Sequence, residues 1–301
     1  MRGVVAVFGP TASGKSAVAE AVANRVAGDL ISADAMQVYR GLPILTNQPV
    51  RSTSLVGIWP LDFDASVAEY QRLAHAAIDR ALAEGRTPIV VGGTGLYLRA
   101  ALADLELPPA PAPGRRSHWE RVYDRVGGER AHALLAERDP AAAEAVHAND
   151  RRRVVRALEL AEMGHSLRPD RDRLWTEATR HPTTIIGLDV PLAELDRRIE
   201  VRTREMFERG VEDEVRAALE QPVSQTARQV LGLREVAQLP RDEACAEITR
   251  KTRRYARYQR KWLRRIPGVV MVAADRPAEE AADAILEVAR ARQRLPARRT
   301  G

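Results

Sequence analysis

Residues 9–16 read Gly-Pro-Thr-Ala-Ser-Gly-Lys-Ser and follow directly on the apolar run Val-Val-Ala-Val-Phe at residues 4–8. The octapeptide matches the phosphate loop G-x-x-x-x-G-K-[ST], in which backbone N–H groups surround phosphate oxygens. After Ser16, apolar residues recur at helical spacing, at positions 17, 18, 21, 22 and 26. A strand, a phosphate loop and a helix are therefore predicted in that order. The N-terminus of the helix adds its positive dipole end to the site.

The loop is predicted to hold a di- or triphosphate. Lys15 supplies a positive charge, and Ser16 offers a hydroxyl to Mg²⁺. Such loops often bind ATP, but the motif alone leaves open whether the phosphates belong to a nucleotide. The predicted phosphate contacts are Gly9, Pro10, Thr11, Ala12, Ser13, Gly14, Lys15 and Ser16.

Composition favours a globular protein of the cytoplasm. The chain has 301 residues, 45% of them hydrophobic, which is enough for one large or two modest domains. No run of 18 apolar residues occurs, and the N-terminus carries no signal pattern, so no membrane span is expected. Cys245 is the single cysteine, which excludes an intramolecular disulfide. We expect it to be an inert, partly buried helix residue.

The charge of the chain is positive and unevenly distributed. The formal net charge is +6, and arginines cluster at residues 151–156 and 250–265. Such clustering is typical of a polyanionic partner, with nucleic acid first. An arginine-rich surface that is merely solvated is the alternative, and charge alone does not decide between the two.

Apolar patterns divide the chain into a sheet-forming part and a helical insertion. Strands are predicted at 4–8, 30–32, 88–91, 183–188 and 269–272, and helices from Lys15 to 27 and at 67–84, 192–206, 242–264 and 278–291. The pattern breaks into a proline-rich stretch near Leu107, and only helices follow up to about residue 180, at 115–126, 129–138, 140–146 and 150–163.

This order predicts an α/β fold: a P-loop NTPase-like parallel sheet covered by helices, with an inserted all-helical subdomain. The catalytic core with its C-terminal basic helices would comprise residues 1–110 and 181–301. The inserted helical subdomain would comprise residues 111–180.

Two polar residues follow predicted strands and are candidates for chemistry. The strand at 88–91 ends in Gly-Gly-Thr-Gly rather than in the aspartate typical of NTP-hydrolysing enzymes, and this counts against hydrolysis. Thr94 is instead a candidate substrate contact, because ligands bind at the carboxyl ends of parallel strands. Asp34 follows the strand at 30–32 and faces the same crevice. The plain alternatives are a tight turn at Thr94 and a turn cap at Asp34.

Five blocks along the chain resemble the tRNA dimethylallyltransferase (IPP transferase) family. The blocks occur in the family's order and span nearly the whole chain, so together they are far more specific than the phosphate loop alone. They are residues 9–16, 31–41, 92–97, 147–159 and 252–262.

The resemblance implies transfer of a dimethylallyl group from dimethylallyl pyrophosphate to N6 of the adenosine 3′-adjacent to the anticodon, in tRNAs that read codons starting with U. The phosphate loop would hold pyrophosphate as the leaving group, with Mg²⁺ on Ser16 and with Lys15 neutralising charge. Asp34 matches the family's general base, and Thr94 would bind the same nucleotide. The target base would have to be flipped out of its stack to reach them.

The resemblance also implies that the inserted helical subdomain binds tRNA, with a set of tRNA contacts on both parts of the chain. Arg234 is carried over for pyrophosphate as well as for tRNA, and which of the two it touches is left open. For Tyr255, Tyr258 and Trp262, helical spacing favours core packing over stacking on RNA. The implied tRNA contacts are Asp34, Ala35, Met36, Gln37, Thr94, Arg116, Arg152, Arg153, Val154, Val155, Arg156, Gln229, Arg234, Thr252, Arg253, Arg257 and Gln259.

The chain departs from the family pattern in several places. Ala35 stands where a serine is usual, Asn47-Gln48 where Ala-Lys is usual, and Leu233 where a tyrosine is usual. A usual His-His pair is absent around Gly57-Ile58, and Ala148 replaces a usual proline. These departures bear on efficiency and tRNA preference rather than on the reaction itself.

Three other functions compete with this interpretation. They are an adenylate isopentenyltransferase acting on free nucleotides, a P-loop kinase for a small nucleotide, and a nucleotide-switched RNA-binding module. The helical insertion and basic clusters favour a large RNA over a small nucleotide. Asp34 and Thr94 at one crevice favour an enzyme over a binding module. We expect a monomer.

Overall fold

The structure is a computed structural model in which residues 3–108, 114–168 and 174–294 are described. The chain forms two compact units. The sheet unit comprises Met1–Asp104 and Glu177–Gly301, and the helical unit comprises Leu105–Thr176. The sequence places these boundaries after residues 110 and 180.

The sheet unit is built on a parallel sheet, as predicted. Its strands are β1 (Val4–Phe8), β2 (Gly28–Ser32), β3 (Thr87–Gly92), β4 (Thr183–Asp189) and β5 (Val270–Ala273). Their order in the sheet is β2-β3-β1-β4-β5, and every pairing is parallel. The central strand β1 is buried at all of its residues. That explains its unbroken apolar run, since parallel strands covered on both faces do not alternate.

Helices surround this sheet and build the helical unit. The order of the described elements confirms the predicted α/β fold class with an inserted helical segment. The short helices α3, α9 and α10 were not among the predicted helices. The helices are α1 (Lys15–Arg25), α2 (Val67–Ala83), α3 (Gly95–Leu102), α4 (Arg115–Val126), α5 (Gly128–Arg138), α6 (Pro140–Ala145), α7 (Arg151–Glu162), α8 (Leu192–Glu208), α9 (Val211–Leu219), α10 (Leu233–Gln238), α11 (Arg241–Leu263) and α12 (Ala278–Arg294).

The turn between β1 and α1 is the predicted phosphate loop. Gly14 ends it as the N-cap of α1, with φ 82°, a left-handed conformation that glycine adopts at little cost. The Gly9 N–H donates to the Gly92 carbonyl at 3.3 Å, which anchors the start of the loop to the end of β3. The loop therefore opens at the carboxyl edge of the sheet, where ligands of parallel sheets bind.

The helical unit has a core of its own, in which Trp119, Leu135, Val154, Val155 and Leu158 are buried. Two aspartates cap its helices. The Ala142 N–H donates to Asp139 Oδ1 at 3.0 Å, and the Arg153 N–H donates to Asp150 Oδ1 at 3.1 Å. Both caps satisfy N–H groups that the first turn of a helix leaves unpaired.

A search of the described residues finds no helix that is both long enough and apolar enough to cross a membrane.

The core of the helical unit gives a stability prediction. Leu135 is fully buried on α5, whereas its neighbour Leu134 is half-buried. We expect Leu135→Ala to lower the free energy of unfolding by about 2–5 kcal/mol, because a truncated core leucine leaves a cavity. Leu134→Ala is the matched control and should cost less. Urea unfolding followed by circular dichroism measures both, and equal losses for the two variants would contradict the described packing.

Candidate active site

A cleft of the sheet unit lies where the loops after β1 and β2 leave the carboxyl edge of the sheet. Lys15 and Ser16 line it from the phosphate loop, and Asp34 lines it from the turn after β2. Arg202 of α8 and Tyr255 of α11 line it from the helices. Residues that lie far apart in the sequence therefore meet around one space.

Two cations and a carboxylate share this cleft. Burial lowers the pKa of Lys15, the charge of Asp34 raises it, and the charge of Arg202 lowers it further. Burial also lowers the pKa of Arg202, again opposed by Asp34. A group whose charged form is disfavoured by burial and by a second cation is stabilised when an anion binds. The cleft is thus suited to a strongly negative ligand.

Sequence reasoning missed Arg202. Among the contacts of the described residues, its guanidinium has no hydrogen bond or ion pair, although it lines the cleft. The available signal was helical spacing. Arg202 lies three residues after Ile199 and four before Met206, both of which are buried on α8. An arginine on the inward face of a helix needs a counter-charge, and a bound anion supplies one.

Asp34 both caps a turn and lines the cleft. Its Oδ1 accepts the Met36 N–H at 3.0 Å, as the turn-cap alternative expected. Within the described residues, its other carboxylate oxygen accepts no hydrogen bond. One oxygen therefore holds the turn, and the second is available to a ligand.

Thr94, the N-cap residue of α3, is tied to the Asp34 turn. Its Oγ1 accepts the Ala35 N–H at 3.1 Å and lies 3.4 Å from the Tyr255 hydroxyl. Burial is the main cause that raises the pKa of Tyr255, and the charge of Asp34 adds to it. The hydrogen bond between Thr94 and residue 35 involves the backbone N–H of Ala35. Alanine in place of the usual serine therefore leaves this bond intact.

Gln259 is buried, with 1% exposure, and joins two loops of the cleft. Its Oε1 accepts the Thr11 N–H at 2.7 Å, and its Nε2 donates to the Gly93 carbonyl at 2.8 Å. We call this pair of bonds the Gln259 brace. A Cβ on Gly93 would lie 2.3 Å from Nε2, so the brace requires glycine there. The side chain predicted to contact tRNA is used to position the phosphate loop against the turn after β3.

Hydrogen bonds also hold the loop at residues 42–48, which lines the cleft through Leu45, Thr46 and Asn47. Glu214 accepts the N–H groups of Ile44 and Leu45, each at 2.7 Å. Gln48, one of the departures from the family pattern, donates to the Tyr39 carbonyl at 2.8 Å.

Other predicted contacts of the sheet unit lie at its surface or in its cleft. The exposed Arg234 donates to Gln238 Oε1 at 2.8 Å and does not line the cleft. Gln229 is exposed, while Thr252 is buried and lines the cleft together with Met36 and Gln37.

Some basic residues of α11 are paired. Arg253 and Arg257 of this helix donate to Glu200 and Asp196, each at 2.9 Å. Cys245 is half-buried on the same helix, and burial raises the pKa of its thiol.

The predicted arginines of the helical unit differ in their partners. Glu159 is buried and accepts hydrogen bonds from Arg116 at 3.1 Å and from Arg156 at 3.0 Å. Arg152 and Arg153 are exposed, and the described residues offer no ion pair to their side chains. Val154 and Val155, also carried over as tRNA contacts, have side chains buried in the core.

The aromatic residues of α11 do not all pack in the core. Trp262 packs on Gly95, where a Cβ would lie 2.2 Å from its ring, and Tyr255 lines the cleft. The prediction of core packing is wrong for Tyr258, whose side chain is 54% exposed. Helical spacing predicts that Tyr258 lies near Tyr255 and Trp262 on α11, but it does not show which face of the helix packs against the rest of the protein.

Comparison with known proteins identifies the family. The model of the family described as IPP transferase matches residues 37–266. The chain is 43% identical over 279 residues to the tRNA dimethylallyltransferase of Streptomyces coelicolor, with 88% of each chain covered. The chain belongs to the IPP transferase family. This family member is accordingly an enzyme of the transferase class.

Solved structures agree with the fold of this IPP transferase. It superposes on the full-length tRNA isopentenylpyrophosphate transferase of Bacillus halodurans with a TM-score of 0.69 and 29% identity, covering 97% of each chain. A eukaryotic dimethylallyltransferase, described as acting on tRNA, gives a TM-score of 0.77 at 23% identity, covering 98% of this chain and 81% of that one. The second similarity bears on the fold alone.

The charges around Lys15 predict that two substitutions shift its pKa in opposite directions. An amine is acylated in its neutral form, so a lowered pKa lets Lys15 react at lower pH. Arg202→Leu should raise the pKa of Lys15 and move its reaction to higher pH, whereas Asp34→Asn should lower that pKa and move the reaction to lower pH.

Mass spectrometry of the peptide that contains Lys15, after brief acetylation at a series of pH values, measures both shifts. Lys261 in the same digest is the internal reference. Shifts in the same direction, or no shift, would contradict the described arrangement of charges.

Proposed function

We propose that the protein transfers a dimethylallyl group from dimethylallyl pyrophosphate to N6 of the adenosine 3′-adjacent to the anticodon, in tRNAs that read codons starting with U. The observation that carries the proposal is that one cleft is lined by Lys15 of the phosphate loop, by Arg202 of α8 and by Asp34, which has one carboxylate oxygen without a hydrogen bond to the described residues. The cations suit an electrophile with an anionic leaving group, and the carboxylate suits a nucleophile that must lose a proton. The names of the relatives support the same reaction.

In this reaction the C1–O bond of dimethylallyl pyrophosphate breaks and a bond from C1 to N6 forms. Negative charge then builds on the departing pyrophosphate. Lys15 and Arg202 line the cleft in which that charge builds, and fixed charges of this kind stabilise a transition state without having to reorganise.

Asp34 is the proposed acceptor for the proton that N6 loses. The lone pair of an adenine amine is delocalised into the ring, so removing the proton as the new bond forms assists attack. The carboxylate oxygen that is not used by Met36 is available for this role. Thr94, whose Oγ1 accepts the Ala35 N–H next to Asp34, is the proposed second contact of the same nucleotide. The base reaches them by flipping out of the anticodon loop.

Mg²⁺ is the proposed cofactor, and the residues present fit it. The Ser16 hydroxyl lines the cleft and has no hydrogen bond with any described residue. No group of three or more His, Cys, Asp or Glu side chains arranged for a metal occurs among the described residues. Ser16 would therefore hold the ion together with pyrophosphate oxygens and water, the ligands that Mg²⁺ prefers. The bound ion would neutralise charge on the leaving group.

The apolar side of the cleft suits the five-carbon chain of the donor. Met36, Leu45, Met206, Leu231 and Ile248 line it. Their side chains would exclude water from the allylic carbon, which otherwise reacts with water in place of N6.

A large RNA is favoured over a free nucleotide as the acceptor. The helical unit carries Arg152 and Arg153 exposed, and Glu159 holds Arg116 and Arg156. Arginines of this kind bind backbone phosphates, which a small acceptor lacks in such number. Residence in the cytoplasm and a monomeric state stay predictions.

Incubation with radiolabelled dimethylallyl pyrophosphate, Mg²⁺ and unmodified tRNA tests the proposal. Label should enter tRNAs that read codons starting with U, and nuclease digestion should yield N6-dimethylallyl adenosine from the position beside the anticodon. Label in free adenine nucleotides but in no tRNA would support the small-acceptor alternative. Absence of label from every such tRNA would contradict the proposal.

Asp34→Asn keeps the oxygen that accepts from Met36 but removes the base. We expect the rate of transfer to fall about 10²- to 10⁴-fold, the usual contribution of a general base, with little change in tRNA affinity. Single-turnover rates and filter binding measure the two quantities. Asp62→Asn, at an exposed aspartate that does not line the cleft, is the matched control. An equal loss of rate and affinity would assign Asp34 to binding.

Arg152→Ala combined with Arg153→Ala should weaken binding of all tRNAs alike. The slope of log affinity against log salt concentration should become shallower by about one for each phosphate that the double variant no longer neutralises. Arg121→Ala is the control, because Arg121 is exposed on α4 of the same unit and lies outside the predicted contacts. An unchanged slope in the double variant would mean that these two arginines are solvated surface.

A further inference from the structure

Tyr258 is an exposed aromatic residue at a defined place on the basic helix α11. Its side chain is 54% exposed, compared with 38% for the exposed Phe63 of the same unit. Isolated apolar side chains at a surface are normal and need no function. Tyr258 differs because of what lies on each side of it.

Tyr258 lies at the boundary between two different faces of α11. Residues three and four apart share a helix face, and Thr252, Tyr255 and Gln259 form the face that lines the cleft. Arg254, Arg257 and Lys261 form an exposed basic face. At about 100° per residue, Tyr258 lies between these faces. A chain that runs along the basic face and enters the cleft on this side of α11 passes its ring.

A second aromatic ring continues the path inward. The ring centroids of Tyr258 and Tyr255 are 6.5 Å apart, and the ring planes differ by 23°. The Tyr255 hydroxyl in turn lies 3.4 Å from Thr94 Oγ1, beside the turn that carries Asp34. One ring thus borders the acceptor pocket, and the next, nearly parallel to it, faces solvent.

We infer that Tyr258 is a stacking platform for an unpaired RNA base next to the one that enters the cleft. The inference rests on the proposed function, because it takes the acceptor to be a base in single-stranded RNA. Flipping one base out of a loop leaves its neighbours without a stacking partner, and an exposed aromatic ring at the mouth of the pocket replaces that partner. Arg254 and Lys261, which have no ion pair within the described residues, supply charge for the adjoining phosphates.

The contribution of base stacking on an aromatic side chain to RNA affinity has been measured by alanine substitution. Alanine substitutions at such platforms weaken binding by amounts that correspond to about 5- to 150-fold in affinity. We therefore expect Tyr258→Leu, which keeps apolar volume but removes the π-face, to weaken binding of an anticodon stem-loop within this range. Tyr258→Phe keeps the ring and should bind like the wild type.

The test is a double-mutant cycle between protein and RNA. Wild type, Tyr258→Leu, Tyr258→Phe and the control Phe63→Leu are titrated by fluorescence anisotropy against an intact stem-loop. They are also titrated against stem-loops that carry an abasic site on one or the other side of the target adenosine. The effect of Tyr258→Leu should disappear with one of the abasic stem-loops. In transfer assays, Tyr258→Leu should raise KM for tRNA and leave KM for dimethylallyl pyrophosphate unchanged.

Three results would overturn the inference. One is an equal loss for Tyr258→Leu with intact and abasic RNA, which would indicate a backbone contact. Another is a loss in Tyr258→Phe as large as in Tyr258→Leu, which would indicate a hydrogen bond of the hydroxyl. The third is no loss in either variant. The transfer assay tests the proposed function separately from the stacking inference. If the wild type binds the stem-loop but transfers no dimethylallyl group, the proposed function fails, and the binding titrations still test the role of Tyr258.

Discussion

The two hydrogen bonds of Gln259 set the geometry on which the chemistry of the cleft depends. One bond ends on the phosphate loop at Thr11, and the other ends on the turn after β3 at Gly93. Because the amide is buried, water cannot replace either bond, and a buried group left unsatisfied costs about 1–3 kcal/mol. Group transfer depends on the distance between the reacting atoms, and a misplacement of about 1 Å can lower the rate about 100-fold. A buried side chain of α11 thereby fixes the spacing between the phosphate loop and the loop that carries Thr94.

The helical unit uses a buried carboxylate in a comparable way. Glu159 directs the guanidinium groups of Arg116 and Arg156, each through one of its oxygens. A buried carboxylate with two cations is stable only while its partners stay in place, since removing one member leaves an uncompensated charge. In both units, therefore, a buried polar side chain holds in place groups that face the cleft or the solvent.

Most of the fold could be predicted from the sequence, whereas the functional site could be predicted only in part. Periodicity marks β1 and the helices of the insertion because their burial is a local property of each element. Asp34 and Thr94 could be found because each follows a strand, and parallel strands end at one edge. Arg202 reaches the cleft only through the packing of α8, which no local pattern records. For Gln259 and Tyr258, the motif identified a helix but not which side chains the sheet unit covers.

The position of the helical unit in the sequence affects how the sheet forms during translation. The central strand β1 pairs with β3 on one side and with β4 on the other, and the whole helical unit lies between β3 and β4 in sequence. At about 5–20 residues per second, a ribosome needs roughly 5–20 seconds to progress from β3 to β4. Through that interval the apolar strand Val4–Phe8 has one unpaired edge, the kind of edge that recruits other chains. The time taken to synthesise the helical unit thus sets how long this edge of the nascent sheet stays unpaired.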